Sequence, residues 1–441
     1  MRQKTYIMLC TALLLLCFGG CKKKAEDTEP GLGKKMVATA YNQGYASELG
    51  TQVVMAAENG YYFYDGINWS DQSGGGFYYV DKATGNKIYL CNKPECRHDG
   101  NQFCIATNEK YRIGQTVLYG KDRIYATAIE ETETQYLYKL LCVELDGSEM
   151  NEVVTFMTME KTAQGCYAYC DGLLIHQNVV FLTFSANAVG SEMMYGTAMY
   201  FPDTGEVRYL DEEPLAEDNI KCTALNAYGD YIFYCRREGK KNVLYRYHIG
   251  TEETDSCKLL RNFNNQYVVL DEDTIVYLRA SGDHLCVYHP STGENSELPN
   301  FISKRTALGP DGTPFEIDGG YVGEGIKTDG EYLYVWEKPT FVKIEPELDV
   351  KTFQIHVFDK DLKEVTEVEL GESFAAYQVT DGRQLYFYNL GDDAYYLGEE
   401  ILFPCYVSGT VADYVVFRYS RTDLLAGKTE IECLFEMELE D

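Results

Sequence analysis

Basic side chains are scarce in this chain. Lys and Arg together number 39 against 69 Asp and Glu, a formal net charge of −30 over 441 residues. Without a basic surface to displace counterions from phosphates, nucleic acid is argued against as a partner. Histidine is sparse too, at six residues, and tryptophan is limited to two. No G-x-S-x-G elbow, H-E-x-x-H helix or G-K-[ST] phosphate loop occurs, so the common hydrolase, zinc-protease and nucleotide-binding signatures are missing. The longest apolar run falls short of the roughly 20 residues a membrane-spanning helix needs. General disorder is excluded from the other side, because 45% of the residues are hydrophobic.

What the chain has in excess is aromatic residues: 14%, with 38 Tyr and 20 Phe. Tyrosine suits a pleated, half-buried surface, which points to an all-β fold. A five-residue strand core recurs as GYYFY from Gly60, DRIYA from Asp122, NVVFL from Asn178 and DYIFY from Asp230. It continues as DTIVY from Asp273, EYLYV from Glu331, RQLYF from Arg383 and DYVVF from Asp413. All intervals but the last fit one four-stranded unit with its loops. Most cores are followed by a strand, a tight turn and a returning strand, as in FYYVDKATGNKIYL from Phe77 or LCVYHPSTGENSEL from Leu285. Gly accepts positive φ at such turns, and Asp or Thr bonds its own backbone there. A third run precedes some cores, as in TVLYGK from Thr116, YVVLDE from Tyr267 and AAYQVTDG from Ala375.

Short antiparallel strands repeated about seven times predict a β-propeller of four-stranded antiparallel blades. Stacking blades around an axis buries both faces of each sheet, and closing the ring protects the edges. Seven blades is the expected number, with six or eight as alternatives, since residues 383–441 read as one elaborated blade or two truncated ones. Residues 51–57 (TQVVMAA), beside the C-terminal TEIECLFEMELE, are the candidate for ring closure. Residues 300–330 form the longest stretch outside the repeat.

The N-terminus reads as a processing signal. Residues 1–4 (MRQK) carry two positive charges, residues 5–18 (TYIMLCTALLLLCF) are apolar, and Gly19, Gly20 and Cys21 follow. A cysteine directly after two glycines resembles the lipobox of bacterial lipoproteins. That resemblance implies that Cys21 is lipidated and becomes the mature N-terminus; an ordinary cleaved signal with an incidental cysteine is the alternative. The expected organisation is a signal peptide over 1–20, a lipidated cysteine with a flexible tether over 21–48, and a propeller over 49–441. Lys22, Lys23 and Lys24 would lie beside anionic head groups, each adding about 1 kcal/mol of attraction.

One cluster carries chemistry. Cys91, Cys96, His98 and Cys104 are spaced C-x4-C-x-H-x5-C. Three thiolates and an imidazole make a tetrahedral Zn2+ shell, which would be structural because four protein ligands leave no open position. A disulfide is the competing outcome outside the cytoplasm, and free thiols are the third. Cys142, Cys235, Cys286 and Cys433 sit singly in predicted strands, where cysteine behaves as a small buried hydrophobe. Cys166 and Cys170, if on one extended strand, cannot bridge each other. Unpaired cysteines on an exported protein suit a host with little oxygen. His176, His248, His284, His289 and His356 fall in or beside different predicted strands and read as packed or solvated residues rather than catalytic bases. The acidic runs DEDT from Asp271 and LDEEPLAED from Leu210 match no Ca2+ loop and read as solvated surface. Trp69, in a loop after the first core, is the candidate for stacking on a sugar.

The recurring cores, Cys21 and the segment LCNKPECRHDGNQFCIA (90–106) together resemble the propeller-bearing surface lipoproteins of anaerobic Gram-positive, Clostridia-type bacteria. Their repeats are similar to TolB-like and low-density-lipoprotein-receptor-like propellers. That resemblance implies location and fold but no settled activity. The expectation is therefore an extracytoplasmic, lipid-anchored, monomeric, non-enzymatic propeller that binds a glycan, a peptide or an envelope protein. The alternative is a propeller-fold polysaccharide lyase or hydrolase with its site in the central channel.

Overall fold

The computed structural model describes residues 44–47 and most of 53–437. Residues 1–43, 438–441 and several connecting stretches, among them 65–75, 99–103, 299–304 and 387–394, lie outside the described residues. Cys21, the signal segment and Trp69 are therefore outside them.

Seven antiparallel sheets form seven blades in chain order. From axis to rim, blade 1 comprises Val53–Ala56, Gly60–Tyr64, Phe77–Asp81 and Lys87–Tyr89. Blade 2 comprises Arg112–Tyr119, Arg123–Glu131, Gln135–Glu144 and Met150–Glu160. Blade 3 uses Cys166–His176, Val179–Ala188, Met194–Phe201 and Glu206–Tyr209. Blade 4 uses Cys222–Tyr228, Tyr231–Glu238, Lys241–His248 and Thr254–Cys257. In blade 5 the strands are Phe263–Asp271, Thr274–Arg279, Leu285–His289 and Glu294–Glu297. In blade 6 they are Val322–Thr328, Leu333–Glu337, Gln354–Phe358 and Glu364–Glu369. Blade 7 is built from Leu385–Tyr386, Glu400–Val407, Tyr414–Ser420 and Glu432–Met437.

Period-two alternation explains how the blades stack. In Gly60–Tyr64, Tyr62 and Tyr64 pack towards blade 2, whereas Tyr61 and Phe63 pack with Leu402 and Val416 of blade 7. The same division recurs around the ring. One apolar cluster joins blades 1, 2 and 3, and others join 3 to 4, 4 to 5, 5 to 6 and 6 to 7. The last, between blades 7 and 1, closes the circle. A strand buried on both faces loses the polar half of its pattern, which is why its core reads as a near-continuous apolar run.

Ring closure differs from the sequence expectation. Val53–Ala56 pairs within blade 1 and Glu432–Met437 within blade 7, so among the described residues no strand is exchanged between these two blades. Side chains hold the seam instead: Tyr61 OH donates to Glu400 Oε2 at 2.9 Å, and Lys82 Nζ lies 2.8 Å from the same oxygen. A second difference lies in the stretch read as tether. Gly44–Ser47 pairs antiparallel with Gly172–Ile175 on the axial edge of blade 3.

Blade 7 is one elaborated blade. Its second strand is Glu400–Val407, with Pro404 opposite Val416, and a short Tyr395–Leu397 strand pairs beside it. AAYQVTDG does not open as a strand: its first residue ends the helix Gly371–Ala375, and part of the segment lies outside the described residues. Within residues 300–330, Arg305–Leu308 and Pro314–Ile317 make a separate hairpin, and Val322–Thr328 is the first strand of blade 6. A second hairpin, Phe341–Ile344 with Glu347–Lys351, is inserted between the middle strands of blade 6. Two helices are found among the described residues, Gly371–Ala375 and Arg421–Leu425, each of five residues.

Candidate metal centre

The last strand of blade 1 ends at Tyr89, and the chain then crosses to blade 2 through the cysteine segment. The crossing is pinned at several backbone points. Leu90 N donates to Phe77 O at 2.9 Å, Asn92 N to Gly147 O at 3.1 Å, and Phe77 N to Ala106 O at 3.1 Å. Gly147, in the turn between the two outer strands of blade 2, has φ +66° and sits against this segment. A Cβ there would stand 2.7 Å from Cys91 N and 2.7 Å from Leu90 C, so only glycine permits the approach.

Within that frame the four residues singled out by their spacing come together. One ligand atom from each of Cys91, Cys96, His98 and Cys104 lies within 4.8 Å of every other. A closed Zn2+ tetrahedron with Zn–S about 2.3 Å and Zn–N about 2.0 Å has ligand atoms roughly 3.3–3.8 Å apart, so closure asks for contraction of about an ångström. His98 adopts φ +55° and stacks its ring on Tyr89 with centroids 4.6 Å apart, which aims Nδ1 to 3.5 Å from Cys104 Sγ. A Cys96 N to Lys93 O bond of 3.0 Å closes the turn that carries Cys96.

The thiols are electrostatically unlike. Burial resists ionisation of Cys91, but the amides of Ile105 and Lys93 and the thiols of Cys96 and Cys104 outweigh it and hold its pKa below the ordinary thiol value. Cys104 is fully buried, and burial raises its pKa although Thr107 donates to Sγ through its amide at 3.3 Å and its hydroxyl at 3.2 Å. Ionisation is thus favoured at one thiol and opposed by burial at the other, and a bound cation would favour the thiolate at both. The donor set, the convergence and the amide bonds to sulfur all fit Zn2+.

Among the described residues eleven cysteines are free thiols. Cys142, Cys235 and Cys286 are buried in strands as expected; Cys433 is half-buried and accepts from Tyr377 OH at 3.1 Å. Cys166 and Cys170 lie on one strand, opposite Ala188 and Phe184, which excludes a bridge between them. The histidines do not converge. His176 Nε2 lies 2.7 Å from Gly229 O, His248 Nδ1 accepts from the amides of Gly250 and Thr251, and His289 Nδ1 lies 2.8 Å from Asp273 O. Each stands on a different blade and bonds a turn, which lies in blade 4 for His176 and His248 and in blade 5 for His289; His284 is outside the described residues. His356 is the exception, since it stands with Glu364 and Glu367. The spacing on Gln354–Phe358 and Glu364–Glu369 hid this group, because a β-bulge brings it together.

Neither a family model nor a curated protein matches the chain. Solved structures share its architecture at low similarity. Oligogalacturonate lyase from Vibrio parahaemolyticus is 9% identical over 85% of this chain and 86% of its own, with a TM-score of 0.39. A post-proline cleaving enzyme from Rickettsia typhi is 9% identical over 87% of this chain and 53% of its own, with a TM-score of 0.44. TolB from Acinetobacter baumannii is 10% identical over 87% and 82%, with a TM-score of 0.33. Such values carry no activity over to this chain. The fold stands on its own sheets: this is a seven-bladed β-propeller.

Proposed function

We propose that the chain is a lipid-anchored extracytoplasmic propeller that binds a glycan, a peptide or an envelope protein without catalysis, and that Cys91, Cys96, His98 and Cys104 hold a structural Zn2+. The observation that supports the binding reading is the Gly44–Ser47 strand. It takes the axial edge of blade 3, so polypeptide covers a place where a channel enzyme would admit substrate. The histidines that end strands of blades 3, 4 and 5 add to this, being engaged separately by backbone groups of turns. Supporting the zinc reading is the convergence of all four ligand atoms at the crossing from blade 1 to blade 2, where a disulfide would require two of them and leave His98 unused.

A metal there would act as a staple. Its contribution would be to fix the angle between two blades that otherwise meet through apolar packing. Thr107, Tyr89 and Gly147 would be its supporting shell, bonding one sulfur, orienting the imidazole and pinning the backbone of Cys91.

Three measurements test these readings. Protein purified without added zinc should carry one equivalent, lost in Cys104→Ser; metal-free protein with a mapped disulfide ends the zinc assignment. Intact mass should show a diacylglyceryl group on Cys21, and a soluble product cut elsewhere refutes the anchor. A glycan and peptide array probed with the mature ectodomain should return a saturable ligand left unaltered. Release of cleaved polysaccharide would establish the enzyme instead.

A further inference from the structure

A second group of metal-capable side chains stands on blade 6, far along the chain from the cysteines. His356 lies on the third strand, and Glu364 and Glu367 lie on the outermost. His356 is directly opposite Glu367, so the two share a face. Glu364 is an odd number of residues from Glu367, and on a regular strand it would point to the opposite face. The register shift between Val357 and Phe358 removes that difference. Phe358 stands opposite Glu364, Val365 is the extra residue, and both carboxylates come onto the His356 face.

That face looks towards blade 5. His356 is opposite Val335, and Val335 and Phe358 both belong to the apolar cluster joining blades 5 and 6. The imidazole is 1% exposed, its Nδ1 lies 2.8 Å from Glu364 Oε1, and the two glutamates open to solvent. One imidazole nitrogen and one oxygen from each carboxylate lie within 4.8 Å of one another. The next residue on the same face of the strand, Gln354, is 97% buried, and its amide oxygen Oε1 has no hydrogen-bond partner among the described residues. A buried acceptor on this face that lacks a donor is one that a metal-bound water would satisfy.

We propose that His356, Glu364 and Glu367 form a divalent-cation site at the rim of blade 6, on the side facing blade 5. In the tautomer protonated on Nε2, Nδ1 directs its lone pair to the same point as the carboxylates. One nitrogen and two carboxylates suit Zn2+, Mn2+ or Fe2+, and three protein ligands leave coordination positions open to water or to an oxygen of a bound molecule. The site is thus chemically unlike the thiol cluster, whose four ligands close the shell. It stands independently of the zinc and binding readings above.

Mn2+ is the probe, because it favours oxygen and nitrogen over thiolate and its free aqua ion has a strong paramagnetic resonance signal. Full-length protein titrated with Mn2+ should remove one tight equivalent from that signal, above any weak uptake by the acidic surface. Glu367→Gln, which alters an exposed side chain, should weaken that equivalent by about tenfold or more while leaving metal-free thermal unfolding unchanged. Glu364→Gln should weaken it likewise, so the result does not depend on one variant. Cys104→Ser should retain it. Identical uptake by wild type and Glu367→Gln overturns the proposal, as does an equivalent lost in Cys104→Ser but kept in Glu367→Gln.

Discussion

Trp336 shows how closely single residues are fitted. Its indole is 1% exposed and lies over Gly325 on the neighbouring strand, where an added Cβ would fall 1.3 Å from Cζ2. Gly325→Ala should therefore cost at least about 2 kcal/mol through displacement of the ring, read as a lower unfolding midpoint and a shifted tryptophan emission. Unchanged emission and stability would show that the indole has room to move. Charge is as specific as shape. Glu152 accepts from Lys110 Nζ at 2.7 Å, from Lys139 Nζ at 2.6 Å and from Tyr111 OH. Lys110 first, then Lys139, hold its carboxyl down to about 2 against an ordinary 4.5. A folded pKa below the unfolded one stabilises the protein above the unfolded value, and the benefit is lost as pH falls from about 4.5 towards 2. Carboxyl NMR should place Glu152 well below the ordinary 4.5. Glu152→Gln should remove that part of the acid sensitivity; an ordinary titration near 4.5 would contradict the network.

Elements were readable in proportion to how local their causes are. The hairpin turn after Phe77–Asp81 closes as its composition predicts: Asp81 Oδ1 accepts from Ala83 N, Thr84 N and Thr84 Oγ1, and Gly85 takes φ +70°. Six of the eight repeated cores are second strands of blades, and the other two both fall in blade 7. There the true second strand, Glu400–Val407, escaped because Pro404 interrupts the usual strand chemistry. The bulge on blade 6 was equally hidden, since register depends on the partner strand. The cysteine segment lies between these cases. Its spacing singled out Cys91, Cys96, His98 and Cys104, while their convergence relies on Gly147 from the next blade. Gly147→Ala should cost about 1–3 kcal/mol through strain at positive φ and collision with Cys91, and should also lower zinc retention. Lost stability with full zinc content would separate the turn from the metal.

For the whole molecule, closure without strand exchange is the main consequence. Blades 1 and 7 meet through Tyr61, Phe63, Tyr78 and Val80 against Leu402 and Val416, with Glu400 bonded across the seam. Among the described residues no backbone hydrogen bond crosses this joint, and side chains carry it. Leu402→Ala should cost about 2–5 kcal/mol. Its effect should concentrate as faster amide exchange in Gly60–Tyr64 and Glu400–Val407; uniform acceleration around the ring would show that the seam is no weaker than other interfaces.

Strand identity, turn positions and the grouping of Cys91, Cys96, His98 and Cys104 followed from residue order, because each depends on neighbours a few positions away. The repeats favoured seven blades over six or eight and the sheets decide for seven; the seam between the chain's ends, the placement of Gly44–Ser47 at the axis and the His356 group emerged only in three dimensions. Each joins residues from separate strands or blades, and their contacts depend on the register and stacking that burial of both sheet faces imposes.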